Sequence, residues 1–242
     1  MRTTALRRTA LAATAVTLTV LVTACGGATE EGEVKGARTE APKASATAAP
    51  ASSATPAAKA LYAAELEELV VADADLKGYK VEKPRGTIGS SALTVDKDAC
   101  KPIADALFAL PHHLAFASVE RQAASAGGPM TMLSLGSFEG DNTKEVLPAL
   151  KASATACAGG FTVSVLGDAM QVRSVSPMTV RGGEEVLAWK VKSEVPAGPL
   201  VTSVVVSRTK STVASFATIS PARAWDKGQG QAVIDAQAAK LG

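Results

Sequence analysis

Apolar residues recur at the spacing of an α-helix in four segments of the chain, and each segment predicts one helix. Pro102 suits the first turn of the second helix, and Pro111 ends that helix. Pro148 falls inside the third segment, so that helix either kinks or starts later than the position that Asn142 suggests as its N-cap. Gly230 leaves the start of the fourth helix loose. The four apolar faces are Tyr62, Leu66, Leu69 and Val70; Ile103, Ala106, Leu107 and Leu110; Val146, Leu150, Ala154 and Cys157; and Ile234, Ala238 and Leu241.

Between these helices, apolar and polar residues alternate with a period near two, which predicts strands. Glycine pairs at 127–128 and 182–183 lie between predicted strands, as hairpin connections would. Residues 204–206 are three valines, apolar on both faces, and predict a central strand. The strands are predicted at 79–83, 114–121, 130–138, 161–166, 170–175, 185–194, 201–208 and 212–219.

The predicted order of elements is helix, strand, helix, two strands, helix, five strands, helix. Residues 161–219 show no helical period, so their five strands predict an antiparallel meander with short links. The fold class is therefore α+β, a twisted antiparallel sheet flanked by about four helices.

The first 24 residues predict a lipoprotein signal peptide. A basic start with three arginines precedes a short apolar run that ends in Val22-Thr23-Ala24-Cys25. A small residue before a cysteine in this setting is the bacterial lipobox pattern, which places cleavage after Ala24 and acylation on Cys25. The alternative is an ordinary secretory signal that happens to precede a cysteine.

Residues 25–60 predict a lipidated cysteine followed by a disordered tether, and residues 61–242 a single folded domain. Positions 26–60 hold 12 alanines, 7 serines or threonines, 4 glycines and 3 prolines, with one valine as the only large apolar residue. Such a segment cannot bury enough apolar surface to offset the entropy of ordering.

Charge and composition exclude some function classes. Hydrophobic residues make up 47% of the chain, which excludes a wholly disordered protein. Removing the signal peptide takes away three arginines and leaves 22 basic residues against 23 acidic ones. A net charge near zero argues against a nucleic-acid partner.

The remaining cysteines, Cys100 and Cys157, predict a disulfide, because an even pair in an exported protein is best explained as a bridge. Two distant thiols are too few for a metal site, and a redox pair usually has the C-x-x-C spacing. Cys100 opens the second predicted helix and Cys157 closes the third on its apolar face. We therefore expect a partly buried bridge that clamps two helices otherwise sharing only the sheet.

Candidate catalytic residues are few, and no cofactor, metal site or catalytic residue is predicted. His112 and His113 are the only histidines, and neighbours in an extended chain would point to opposite sides and chelate poorly. The simpler interpretation is a surface turn after Pro111. The S-x-x-K motif at 207–210 spans a predicted hairpin instead of a helical turn. Ser134 and Ser137 lie on a predicted strand, and the glutamates at 184–185 follow a glycine turn. A pair of carboxylates placed across a sugar is left open by the sequence.

The two tryptophans differ in their settings. Trp189 shares a strand face with Leu187 and Val191 and is expected in the core. Trp225 lies near Arg223 in a polar stretch between the last strand and the last helix, so these two residues are the candidate edge of a ligand-binding surface. The alternative is that Trp225 covers the edge of the sheet.

The element order and the two cysteines carry a family resemblance. A first helix, a helix opened by Ala99-Cys100-Lys101-Pro102-Ile103, two strands, a helix ending in Ala156-Cys157-Ala158 and a meander follow in turn. This arrangement resembles the sensor-type extracellular domain of mycobacterial serine/threonine kinases of the PknH kind, a family that includes stand-alone actinobacterial lipoproteins. The kinase domains carry two disulfides, whereas this chain can form one. The resemblance implies an extracytoplasmic sensing module with a shallow cleft on an antiparallel sheet.

These observations lead to one expected function and one alternative. We expect a non-catalytic ligand-binding or sensing lipoprotein on the outer face of the cytoplasmic membrane. Its partners would be the membrane, through the lipid anchor, and a small molecule, a wall component or an envelope protein. The alternative is a carrier of envelope lipid or glycolipid, which needs an apolar cavity large enough for acyl chains.

Overall fold

A computed structural model describes residues 59–226 and 228–242, in which helices and strands follow the predicted order with one added strand. The predicted signal peptide at 1–24, the lipidation site Cys25 and the tether up to residue 58 lie outside the described residues. No helix among the described residues is both long and apolar enough to cross a membrane. The helices are α1 (Ala63–Leu69), α2 (Lys101–Leu107), α3 (Thr143–Ala156) and α4 (Gln231–Leu241). The strands are β1 (Tyr79–Glu82), β2 (Leu93–Val95), β3 (Ala117–Ser125), β4 (Met130–Ser137), β5 (Phe161–Val165), β6 (Asp168–Pro177), β7 (Glu185–Val195), β8 (Gly198–Thr209) and β9 (Thr212–Pro221).

All described strands join one antiparallel sheet in the order β1-β3-β4-β9-β8-β7-β6-β5-β2. Strands β5 to β9 form the predicted meander, and the valine-rich β8 occupies the middle position, also as predicted. The α+β prediction is confirmed. The short β2 was not predicted; it pairs with β5 at one edge of the sheet.

Helices cover both faces of the sheet, and each face has its own apolar core. On β8, Val204 and Val206 point to the core beneath α2 and α3, while Val205 points to the core beneath α1 and α4. Successive side chains of a strand point to opposite faces, so a strand buried on both sides must be apolar throughout. We call the two sides the α2/α3 face and the α1/α4 face.

The predicted disulfide is present and joins the residue before α2 to the residue after α3. Cys100 and Cys157 have Cα atoms 5.8 Å apart and are fully buried, more than the partial burial expected. The two helices also contact each other, so the expectation that they share only the sheet is wrong. The backbone N–H of Ile103 donates to Ser153 Oγ at 3.2 Å, and the Ser153 hydroxyl donates to the carbonyl of Ala99 at 2.6 Å.

Most strand boundaries differ from the predictions by one to four residues, and two differences at element starts are instructive. Helix α3 begins at Thr143, directly after Asn142, and runs through Pro148, so the proposed later start is wrong. Pro148 is exposed, on the side of α3 away from the core. Strand β3 begins at Ala117 instead of residue 114, because the chain first makes a turn in which the N–H of Ala115 donates to the carbonyl of His112 at 2.9 Å.

Candidate ligand-binding cleft

A cleft opens at the edge of the sheet where β1 separates from β3. Strand β1 pairs with residues 122–125 of β3, so residues 117–121 have no outer partner strand among the described residues. The chain after β1 turns away from the sheet, and the space left has a volume of about 600 Å³. We call it the edge cleft. Its lining is Ala63, Glu67, Lys83, Pro84, Thr87, Ile88, Gly89, Ser90, Pro111, Ser118, Val119, Glu120 and Arg121.

A narrower side pocket of about 110 Å³ adjoins the edge cleft on the α2/α3 face. Pro84, Ile88 and Glu120 belong to the walls of both spaces, so the side pocket and the cleft are continuous. The other walls of the side pocket come from the end of α2, from β4 and from β3, and include Phe108, Met132, Arg121 and Gln122. The combined space is thus wide and polar at its mouth and narrow and mainly apolar inside.

The cationic groups of the edge cleft are held by one carboxylate of α1. Glu67 accepts from Lys83 Nζ at 2.8 Å and from the guanidinium of Arg121. The hydrogen bond from Lys83, followed by that from Arg121, lowers the pKa of the Glu67 carboxyl. Arg121 also donates through Nη1 to the backbone carbonyl of Glu120 at 2.8 Å, and its side chain is only 11% exposed. This cluster fixes the outer wall of the cleft.

Glu120 differs from Glu67 because it has no cationic partner among the described residues. Its neighbour Val119 points into the core of the α1/α4 face, so the side chain of Glu120 points to the other face, toward the side pocket. The side chain is half-buried and makes no hydrogen bond or ion pair with any residue that the structure describes. Burial raises the pKa of its carboxyl group. Glu120 is therefore a half-buried carboxylate that forms no ion pair with the described chain, although Arg121, which pairs with Glu67, also lines the side pocket.

A second cavity, of about 190 Å³, lies between α2, α3 and the sheet. His112 and His113 line it with Leu110, Val146 and Leu150. The predicted turn after Pro111 is present, but the expectation that the two imidazoles point to opposite sides is wrong: in this turn their ring centroids are 4.3 Å apart. We call this space the histidine cavity.

The electrostatics of the histidine cavity favour an uncharged His112. Burial, and next the nearby His113, lower the pKa of His112, while Asp105 has the opposite effect. The Nδ1 atom of His112 accepts from the N–H of Leu114 at 3.3 Å. Within residues 59–226 and 228–242, no three side chains of the metal-ligating types come together.

The predicted ligand-binding pair lies elsewhere. Arg223 is exposed on a short 3-10 turn, Ala222–Ala224, and Trp225 follows it, half-buried. The ammonium of Lys190 lies 4.6 Å from the centroid of the Trp225 ring. Neither Arg223 nor Trp225 lines the edge cleft or the histidine cavity, so the two do not join the site described above. A ligand contact there stays a prediction.

Comparison with known proteins gives a fold but no family. No family model matches the chain, and no curated protein matches it. The crystal structure of the extracellular domain of PknH from Mycobacterium tuberculosis matches with a TM-score of 0.56 at 14% identity, over 76% of this chain and 97% of that chain. The chain has the PknH extracellular-domain fold. The resemblance inferred from element order is thereby confirmed for the fold.

Other sequence motifs take structural places within this PknH-like fold. Ser207 is buried in β8 and Lys210 is exposed in the turn to β9, so the S-x-x-K motif spans a hairpin as expected. Glu185 accepts from Arg208 Nε at 3.2 Å, and Glu184 lies 3.6 Å from Arg208 Nη1. Trp189 is buried in the core, as predicted.

Glu120 is the candidate site residue that the sequence analysis missed. It lies on a predicted strand, where a charged residue between Val119 and Arg121 is typical of a solvent-facing position. The feature that half-buries it is the segment at 83–90, which has no regular period. The sequence did contain one signal: Glu120 lies on a predicted strand, and the irregular segment at 83–90, which contains proline and glycine, precedes that strand in the chain.

Proposed function

We propose that this protein is a lipid-anchored extracytoplasmic module that binds a small ligand in the edge cleft without transforming it. The observation that carries the proposal is the edge cleft itself. Its volume of about 600 Å³ falls within the usual range for small-ligand sites, roughly 300–1,000 Å³. The charged and apolar side chains that line the edge cleft and its side pocket also suit a small amphipathic molecule. The similarity to a domain known to be extracellular supports a location outside the cytoplasm.

The proposed anchor is a lipid on Cys25, and the proposed tether is the segment that follows it. A flexible chain of the 35 residues at 26–60 has a root-mean-square span of about 30 Å, so it would hold the domain close to the outer face of the membrane. A domain at that distance can meet wall components, small molecules and envelope proteins.

The size and lining of the histidine cavity and of the edge cleft favour a small-ligand binder over a lipid carrier at these two sites. The histidine cavity is mainly apolar, but its volume of about 190 Å³ lies below the usual range for ligand pockets. The larger edge cleft carries charged side chains, including Lys83 and Arg121, at its wall. Acyl chains need a long apolar space, so neither site suits a lipid tail well.

The proposal is tested with a cleft-blocking variant and a matched control. Ser118 is exposed in the edge cleft on β3, whereas Thr94 is exposed on β2 at the far edge of the sheet. The full chain and the variants Ser118→Trp and Thr94→Trp are screened by thermal shift against wall fragments, amino acids, amines and lipids. A ligand at 100 times its Kd should add about 2.7 kcal/mol to the free energy of unfolding.

The expected result is a ligand that stabilises the parent and Thr94→Trp but fails to stabilise Ser118→Trp. A ligand that stabilises all three proteins equally would place binding outside the edge cleft. Turnover of the ligand by the parent protein would contradict a non-catalytic role. Acyl lipid that co-purifies with the protein and resists exchange would favour the carrier.

A further inference from the structure

We propose that the edge cleft selects a cationic organic ligand, an amine or guanidinium on an apolar body, through the carboxylate of Glu120. This inference rests on the proposed function and names the ligand class of the same cleft. It comes from the one charged group of the cleft that has no partner among the described residues.

The other charged groups around the cleft are matched within the described part of the chain. Lys83 and Arg121 share Glu67 on the α1 side. Behind the wall formed by α2, Asp105 pairs with Lys101 at 2.5 Å and accepts from the hydroxyl of Ser90 at 2.9 Å. Each of these charged groups has an ion-pair partner within the described chain, whereas Glu120 has none there.

The surroundings of Glu120 strengthen its attraction for a cation. Ile88, Phe108 and Met132 wall the side pocket and keep its local dielectric constant below that of water. An ion pair is stronger in such a setting, and an ammonium or guanidinium group also gains from contact with an aromatic ring such as that of Phe108. A carboxylate half-buried without a partner destabilises the free protein, and a bound cation would remove that cost.

The sizes of the side pocket and the edge cleft indicate where the head group and the body of the ligand would lie. The side pocket, at about 110 Å³, has room for a charged head group, and the edge cleft has room for the body attached to it. Gln122 lies two residues beyond Glu120 on the same strand face and also lines the side pocket. Its amide oxygen can accept a second hydrogen bond from the cationic head group. An alcohol has only one O–H donor and an ether has none, so neither could donate to both Glu120 and Gln122.

Three probes with one phenyl ring and different charges test the inference. The full chain is titrated with 2-phenylethylamine, 2-phenylethanol and 3-phenylpropanoate at pH 7 and low salt, by calorimetry or NMR. We expect the amine to bind at least tenfold more tightly than the alcohol, and the anion to bind more weakly than either. Glu120→Gln should abolish the preference for the amine and leave the affinity for the alcohol unchanged, because glutamine keeps the size and removes the charge.

Two further variants keep the test sharp. Glu139→Gln makes the same change of charge at an exposed residue outside the cleft and should keep the amine preference. Glu120→Asp keeps the charge on a shorter side chain and should keep the preference with lower affinity. The thermal midpoint of each variant, measured alone, verifies that it is folded.

The inference is overturned if amine and alcohol bind the parent equally, if the anion binds best, or if all three probes fail to bind. It is also overturned if Glu139→Gln weakens amine binding as much as Glu120→Gln does. A ligand whose binding is lost in Ser118→Trp but kept in Glu120→Gln would preserve the proposed function and eliminate the cation. If Ser118→Trp changes the binding of no ligand, both the proposed function and the cation inference are overturned.

Discussion

Glu120 illustrates how one residue on a strand can serve the site instead of the fold. Val119 and Arg121, its neighbours along β3, point to the α1/α4 face and take part in the core and in the ion cluster with Glu67. Glu120 points the other way and receives nothing from the described chain that would stabilise its charge. A residue that destabilises the free protein in this way is a natural candidate for a binding role.

At the residue scale, Glu120→Gln should stabilise the unliganded protein at pH 7. Because burial raises the pKa of Glu120 in the fold, the folded state keeps the Glu120 proton to a higher pH than the unfolded state does, and above that range the ionised carboxylate costs stability. The stability that protonated Glu120 contributes is therefore fully present below the unfolded pKa of about 4.3 and is lost as the pH rises through the folded pKa. Thermal midpoints of parent and variant should differ most at neutral pH and converge toward pH 4.

Glu139→Gln serves as the control for this prediction, since Glu139 is exposed. Its midpoint should follow that of the parent across the same pH range. A difference between Glu120→Gln and the parent that grows on acidification would contradict the predicted direction.

The histidines show why site geometry was harder to predict than residue type. The sequence identified His112 and His113 as the only histidines and placed them after Pro111. The sequence also predicted a surface turn there, but it could not show that the two rings lie against each other in this turn, or that α3 closes a cavity over them. Both features depend on contacts between residues far apart in the chain.

At the scale of elements, periodicity predicted helices and long strands well. Helix α2 and strands β4 to β9 lie within a few residues of their predicted positions, because each has a clear apolar face or an apolar run. Strand β2 has only three residues, Leu93–Val95, which is too short for an alternating pattern to be recognised. The irregular segment at 83–90, which forms a wall of the edge cleft, has no period at all.

The disulfide is the element-scale feature with the clearest energetic consequence. The variant Cys100→Ala/Cys157→Ala should lose about 2–5 kcal/mol of unfolding free energy, because its unfolded chain is no longer cross-linked. The hydrogen bonds of Ser153 to Ile103 and Ala99 remain, so α2 and α3 should still pack in the variant. Denaturant unfolding measures the loss, and circular dichroism measures the retained helix.

Reductant provides the matched control for the disulfide. It should lower the stability of the parent toward that of the double variant and leave the double variant unchanged. Peptide mapping of unfolded, unreduced parent should find Cys100 linked to Cys157; free thiols at both positions would refute the bridge.

At the scale of the whole molecule, the sheet separates two apolar cores, and part of the outer edge of β3 has no partner strand among the described residues. The long central strands β8 and β9 are buried on both faces, whereas β3 near the edge pairs with β1 over only part of its length. The order of elements was enough to identify the PknH-like fold from the sequence, even though the identity is only 14%. The edge cleft was not predictable in the same way, because it arises from where β1 stops.

The whole-molecule prediction concerns the anchor, at a residue outside the described part of the chain. Cys25→Ser should move the protein from the membrane fraction to the soluble fraction, since each buried lipid CH₂ contributes about 0.8 kcal/mol and serine cannot carry the thioether-linked chains. Mass spectrometry of the parent should find Cys25 as an acylated first residue. Cys157→Ser makes the same substitution within the domain and should leave the protein membrane-bound while it loses the disulfide. If Cys25→Ser remains with the membrane and the parent carries no acyl chain, the domain reaches its location by another route.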